Sequence, residues 1–328
     1  MKQLSTNNST LSGAASARQD SESRRFDHHM ATGFYHKSVS EETRRAYRRA
    51  VTDFFQFVEG IHPTLVTTEH VLLWRDHLRA KKKRAATIAF SLSVVRGFFE
   101  YLKAAGIIRL NPASTKLVAP PEVPAEPAAR ALTPKEVRHL LSGPDRSKSQ
   151  GARDYALLLL LLRLGVRVSE ACSLKTSSIK WSHGRWIVKF KVKGGRERTL
   201  PLPTEVKKAI DEYVKLDGKR RASLHSDGED SFLFQPHTNY RTLVFDKGLS
   251  MRTVWNIVAR WANYSGVGKL SPHDLRRTVI TKALDQGLSY RQVQMMSGHK
   301  DPKTVMRYDP GRENLDQNAV NFIDYSET

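Results

Sequence analysis

The residues that could do chemistry are Arg167, Lys193, His273, Arg276, His299 and Tyr308, with Glu170 three positions after the first arginine. Two guanidiniums can each fork onto the non-bridging oxygens of a phosphodiester, where a pentavalent transition state gathers charge. Such preorganised charge is usually the largest catalytic contribution. A tyrosine has an ordinary pKa near 10 and needs a base and a positive field to become a nucleophile. His273 could take its proton, with His299 as a hydrogen-bond donor to the phosphate. A lysine could protonate the departing oxygen. Glu170 is expected to fix Arg167 or His273 rather than react. Each pattern alone is weak, because a lone arginine after a glycine is usually a surface residue and a tyrosine near a C-terminus usually packs. Their combination in this order is specific.

These side chains need elements to carry them. Tyr155 to about Leu164 reads as a buried helix broken by Gly165, just before Arg167. Trp186 to Val192 alternates like a strand. Lys193-Gly194-Gly195 then turns the chain into a returning strand over Arg198–Leu202. Alternation puts Lys191 on the same face as Lys193, so only position at the turn favours Lys193. A helical stripe of Leu275, Val279 and Ala283 carries His273 and Arg276, which fall on one face at i and i+3. A short helix over Tyr290–Met296 precedes His299, and Asp301-Pro302 starts another before Tyr308. Tyr264, Tyr290 and Tyr325 are the rival nucleophiles; Tyr290 reads as packing and Tyr325 as tail. Trp181 and Trp186 read as packing, Met295 and Met296 as core or interface filler, and Cys172 as a small buried residue.

Upstream, residues 39–116 read as all helix. Stripes of Tyr47, Val51, Phe54, Phe55 and Val58, of Val71, Trp74 and Leu78, and of Ile88, Leu92, Val95, Phe99 and Leu102 each recur at helical spacing. This segment has 14 basic against 7 acidic residues. Arg44, Arg45, Arg48 and Arg49 lie largely off the first stripe, and Lys81-Lys82-Lys83-Arg84 joins the second helix to the third. Both groups could be solvated or could meet phosphates. Residues 1–38, rich in Ser, Thr, Asn and Ala, read as a mobile arm, and His28-His29 within it as a solvated pair rather than a metal site. Residues 117–131 hold four prolines and read as a linker, leaving 132–328 as the larger domain.

Composition narrows the class. With 54 Lys plus Arg against 33 Asp plus Glu, the net charge of +21 points to a polyanion, first of all nucleic acid. A single cysteine excludes a disulfide scaffold or a cysteine-based zinc site and suits a reducing compartment. No continuous apolar run approaches the roughly 20 residues of a membrane span, and the N-terminus lacks the apolar stretch of a secretory signal. A cytoplasmic protein is expected.

The strings GVRVSE around Arg167, VKGGRER around Lys193, HDLRRT, SGH and RYDP together resemble the tyrosine recombinase family of phage-integrase and Xer-like enzymes. The resemblance spans about residues 39–325. It implies a helical DNA-binding domain and a mainly helical catalytic domain with a small sheet, closing as a C-shaped clamp on DNA. It also implies a homotetramer on double-stranded DNA with specific sites. Tyr308 would join the 3′ phosphate, and strands would exchange through a Holliday junction in the service of a mobile element or replicon resolution. The covalent bond would retain the energy of the cut, so no ATP, metal or other cofactor is expected. Two departures stand out: the turn reads Lys-Gly-Gly-Arg, and Ser297 replaces the leucine common before Gly-His. The alternatives are a non-catalytic DNA-binding factor on this fold, and a type IB-like topoisomerase or telomere resolvase. The apolar residues Ala319, Val320, Phe322 and Ile323 suggest a tail that docks on a neighbouring protomer, the alternative being that it packs on its own domain. Deleting residues 315–328 is expected to weaken cooperative DNA binding and strand exchange; unchanged values would refute the docking.

Overall fold

The computed structural model describes residues 25–38, 40–123, 130–191, 196–222, 230–237, 247–309 and 319–322. Lys193, Tyr325, the first 24 residues and most of the tail therefore lie outside the described residues. The chain forms two compact units, residues 1–127 and 128–328.

The first unit is helical: α1 (Thr32–His36), α2 (Glu41–Phe57), α3 (Thr68–Ala80) and α4 (Ala85–Ala104). The apolar stripes fix its core, with Val51, Phe54, Val71, Trp74, Leu92, Val95, Phe98, Phe99 and Leu102 fully buried. Edge-to-face ring pairs such as Phe54–Trp74, with centroids 5.1 Å apart, add geometric specificity to this burial. Thr67 caps α3 in a reciprocal capping box with His70. By length and composition α4 could cross a membrane, contrary to the expectation from continuous apolar runs. Its apolar residues are interrupted by polar ones and face the core of the unit, where seven of them are buried.

Two boundaries differ from the sequence reading. The described end of the expected arm is packed: Phe26 stacks on Phe55 at 3.7 Å, Phe34 on Tyr47 at 5.4 Å, and Ala31 and Tyr35 are buried. The polar composition of residues 1–38 as a whole hides this apolar cluster near its end. His28 is likewise held, its ring nitrogens 3.3 Å from the Tyr35 hydroxyl and 3.4 Å from Thr52 Oγ1. At the expected linker, Val118 belongs to the first core and Arg96 binds the carbonyls of Ala113 and Val118.

The second unit begins with α5 (Pro134–Ser142), capped by Thr133 and Glu136, and α6 (Ser149–Leu164), buried almost throughout. After the short α7 (Val168–Cys172) comes an antiparallel sheet of β1 (Ile179–Ser182), β2 (Arg185–Lys191) and β3 (Glu197–Pro201), in that order. Register pairs Trp181 with Trp186, Val188 with both Ile179 and Leu200, and Lys191 with Glu197. Strand β1 escapes the sequence reading because it is only four residues long. Its turn, His183-Gly184, has both residues at positive φ, the backbone of a two-residue hairpin. Trp181 is 62% exposed rather than packed into the core. Helices α8 (Thr204–Ala222), α9 (Met251–Tyr264), α10 (Pro272–Asp285), α11 (Tyr290–Ser297) and α12 (Pro302–Met306) complete the unit.

Phe99→Ala should cost about 3–5 kcal/mol by opening a cavity among rings that cannot collapse. Chemical denaturation followed by fluorescence of the first unit's Trp74 checks this; a loss below about 1 kcal/mol, an ordinary surface effect, would show that the core there is loose.

Candidate active site

Gly165 ends α6 in the left-handed conformation, φ +58°, and its carbonyl accepts a hydrogen bond from Arg276 Nη1. The chain then turns, so that Arg167 caps α7. The backbone N–H of Arg167 donates to Glu170 Oε2 at 2.8 Å, and its Nη1 donates to Oε1 at 3.2 Å. Glu170 is buried, while the Arg167 side chain remains 42% exposed. Ser271 and Asp274 form the capping box that starts α10. One turn on, Arg276 is buried and His273 is exposed.

Helix α11 ends at Gly298, also left-handed, φ +67°. There three consecutive carbonyls each accept from a different arginine. Met296 O accepts from Arg198 Nη1, Ser297 O from Arg276 Nη2 at 2.7 Å, and Gly298 O from Arg167 Nη2 at 3.1 Å. The partial negative charge of a helix C-terminus favours cations there. Burial and the neighbouring Arg167 lower Arg276 to about 10, so it remains charged at neutral pH.

His299 follows at once. Its Nδ1 lies 2.8 Å from Ser297 Oγ and its Nε2 lies 3.0 Å from Arg276 Nη2. A guanidinium can only donate, so in this arrangement Nε2 accepts and the ring proton sits on Nδ1, directed at Ser297. The expected phosphate donor is thus here an acceptor. Burial first, then the charges of Arg276, Arg167, His273 and Arg198, push its pKa down to about 4.

Tyr308 sits just after α12. Its N–H donates to Val305 O at 2.9 Å and its carbonyl accepts from Thr281 Oγ1 at 3.2 Å. The ring packs with Ile280, Ala283, Val293 and Val305, and the Arg277 guanidinium lies 5.0 Å over it. Its hydroxyl is 3.3 Å from His273 Nε2. Of the rival tyrosines, Tyr290 donates to Asp309 Oδ2 at 2.5 Å and Tyr264 is exposed.

The structure therefore brings Arg167, Glu170, Arg276 and His299 into one hydrogen-bonded group, and it pairs Tyr308 with His273. Lys191 is exposed at the end of β2, and Lys189 pairs with Glu197 at 3.6 Å. Sequence reasoning missed Arg198 and Arg277, and it noted Ser297 only as a departure from the family pattern. Alternation along β3 could have found Arg198, which shares the inward face of Leu200. Cys172 is half-buried, and burial raises its thiol to about 11. Among the described residues no group of metal-ligating side chains is present.

In the first unit Arg45, Arg48 and Arg49 are exposed along one face of α2 with Thr52 and Gln56. Arg44 instead donates to Ser38 O at 2.6 Å. Lys81, Lys82, Lys83 and Arg84 form the exposed turn before α4.

Residues 130–313 match the phage integrase family, and residues 28–106 match its N-terminal SAM-like domain. The chain belongs to the phage integrase family of tyrosine recombinases. It is 31% identical over 279 residues to the tyrosine recombinase XerC of Roseiflexus castenholzii, covering 83% of this chain and 84% of that one. It is 30% identical over 277 residues to XerD of Pseudomonas putida, covering 83% and 87%. The fold is shared with the Tn1549 transposon integrase in complex with circular intermediate DNA, at a TM-score of 0.68 and 19% identity over 90% of this chain and 98% of that one. It is also shared with a lambda integrase dimer bound to a core site, at a TM-score of 0.65 and 18% identity over 92% and 82%.

The folded pKa of His299, about 4, lies below its ordinary 6.5, so between these values the unfolded chain binds a proton that the folded chain refuses. Its contribution to stability is complete above pH 6.5 and is lost as pH falls towards 4. Melting temperature should therefore drop more steeply between pH 6.5 and 4.5 in wild type than in His299→Gln; parallel curves would contradict this.

Proposed function

We propose that this chain is a site-specific tyrosine recombinase that cuts and rejoins double-stranded DNA through a 3′-phosphotyrosyl intermediate. The observation that carries the reading is the Tyr308 hydroxyl, 3.3 Å from His273 Nε2, in the same small unit as two arginines anchored by backbone carbonyls. The phenolic oxygen attacks phosphorus, His273 takes its proton, and Arg167 and Arg276 hold the non-bridging oxygens as charge develops. The 5′ oxygen leaves with a proton from Lys193. The phosphate competes for Arg276 Nη2, which frees His299 Nε2 to turn towards the phosphate as the ring proton shifts from Nδ1. Glu170 orients Arg167 and does not react.

The names of the relatives support the same class. Each protomer supplies one Tyr308, and exchange between two duplexes cuts four strands, which argues for four protomers acting in pairs through a Holliday junction. The exposed arginines of α2 and the Lys81–Arg84 turn would contact phosphates, positioning the protein without reading bases. On this reading the enzyme would act in the cytoplasm, serving a mobile element or replicon resolution.

The test uses a pool of nicked suicide duplexes with a randomised central site. Wild type should form a covalent adduct that maps to Tyr308 by mass spectrometry, and Tyr308→Phe should form none. Arg276→Ala should slow adduct formation by about 10²–10³-fold, the loss expected on removing one charge-stabilising donor. An adduct that persists in Tyr308→Phe would overturn the nucleophile. Relaxation of plasmids lacking any selected site would favour a topoisomerase instead. Locating the selected sequence in genomic DNA separates mobile-element ends from a replicon site.

A further inference from the structure

Strand β3 turns Leu200 and Arg198 inward, and Arg198 is the charged one. Its side chain is only 11% exposed, and burial lowers its pKa from the ordinary guanidinium value while Glu170 opposes the shift. Desolvating a guanidinium is costly, so closing the sheet over the core would be served better by an apolar residue. Arg198 instead uses one terminal nitrogen on Glu170, which also holds Arg167, and the other on the turn whose Gly298 carbonyl receives Arg167. Nη2 donates to Glu170 Oε2 at 2.7 Å, and Nη1 donates to the carbonyl of Met296. Its Nε is buried without a hydrogen-bond partner, and its guanidinium lies 5.3 Å from the Phe190 ring. Gly298, whose carbonyl receives Arg167, packs so closely that a Cβ there would sit 3.1 Å from Arg198.

We propose that Arg198 is a positioning residue for strand cleavage, acting through Glu170 and the Met296–Gly298 turn on Arg167 rather than by touching the phosphate. The inference rests on the reading of Arg167 as a phosphate ligand. Glu170 presents Oε1 to Arg167 Nη1 and shares Oε2 between the Arg167 backbone and Arg198. A carboxylate divided in this way orients Arg167 without absorbing its whole charge. Three guanidiniums around one carboxylate leave a net excess of two positive charges to meet the incoming phosphodiester. Removing Arg198 lowers that excess by one and lets Glu170 turn fully onto Arg167.

The experiment measures DNA affinity and the single-turnover rate of adduct formation separately, for wild type, Arg198→Gln, Arg198→Lys, Glu170→Gln and the Glu170→Gln/Arg198→Gln double variant. Arg198→Gln should slow adduct formation by about 10²-fold, the cost of a misplaced catalytic group, with little change in affinity. Arg198→Lys should recover about tenfold of this, because an ammonium restores the charge facing Glu170 but not the fork. The double variant should be no slower than Glu170→Gln alone, since both act on one group. A wild-type rate in Arg198→Gln, or losses that multiply in the double variant, would overturn the proposal. So would full rescue of Arg198→Gln by a substrate with a bridging 5′ sulfur, whose departure needs no proton, because Arg198 would then act through the leaving group. If Arg198→Gln does not fold, Arg198→Lys is read against wild type: a loss supports the proposal and an equal rate overturns it. If wild type itself forms no Tyr308 adduct, the proposed function fails. The crystal structure of the Arg198 variant then decides this inference, a displaced Arg167 guanidinium supporting it and an unmoved one refuting it.

Discussion

Three guanidiniums meet three successive carbonyls at the end of α11, and Glu170 is the carboxylate set among them. Like charges gathered in a half-buried space repel, and the desolvation of Arg276 adds to the cost. The arrangement holds because each arginine is tied at both ends: Arg276 by Gly165 and Ser297, Arg167 by Glu170 and Gly298, Arg198 by Glu170 and Met296. Gly165 and Gly298, both left-handed, turn the chain sharply enough to aim these carbonyls inward. The unusually apolar α6 makes sense in this light. It is buried almost all round and holds the Gly165 carbonyl in place while the charges beside it are satisfied.

The first unit solves a different problem. Its core is rich in aromatic rings, and the half-buried Arg44 and Arg96 are tied to backbone carbonyls. Arg45, Arg48 and Arg49 keep their heads in solvent, with Arg48 resting 5.4 Å over the Tyr35 ring. A stiff aromatic platform with exposed guanidiniums suits a polyanion of regular geometry. The tied cations of the second unit suit a single phosphate whose charge changes during reaction.

Much of this was legible before any coordinates. The amphipathic helices announce themselves by period, a local property. So does the break at Gly165. Strand β1 was not legible because four residues carry too little pattern, and its partner supplies the definition. The ordered segment around Phe34 was hidden by averaging over a polar stretch. Arg198 was hidden for another reason. Alternation puts it on the inward side of β3, but the buried carboxylate that receives it lies 28 residues earlier in the chain.

The two histidines show how environment divides one chemistry into two. His273 stands at the exposed start of α10 with Nε2 facing the Tyr308 hydroxyl, where solvent would carry away a proton taken in the proposed reaction. His299 lies among Arg167, Arg198 and Arg276; burial first, and then those charges, hold it neutral across the physiological range. A base must gain charge when it acts, and the field at His299 forbids that. A hydrogen-bond donor need not gain charge, and the same field costs it nothing. Ser297 can accept from Nδ1 or donate to it, so it serves either tautomer of the ring. A leucine at this position would offer neither. In the proposed reaction the hydroxyl would therefore give His299 a route from acceptor, while Arg276 occupies Nε2, to donor once a phosphate drew that arginine away.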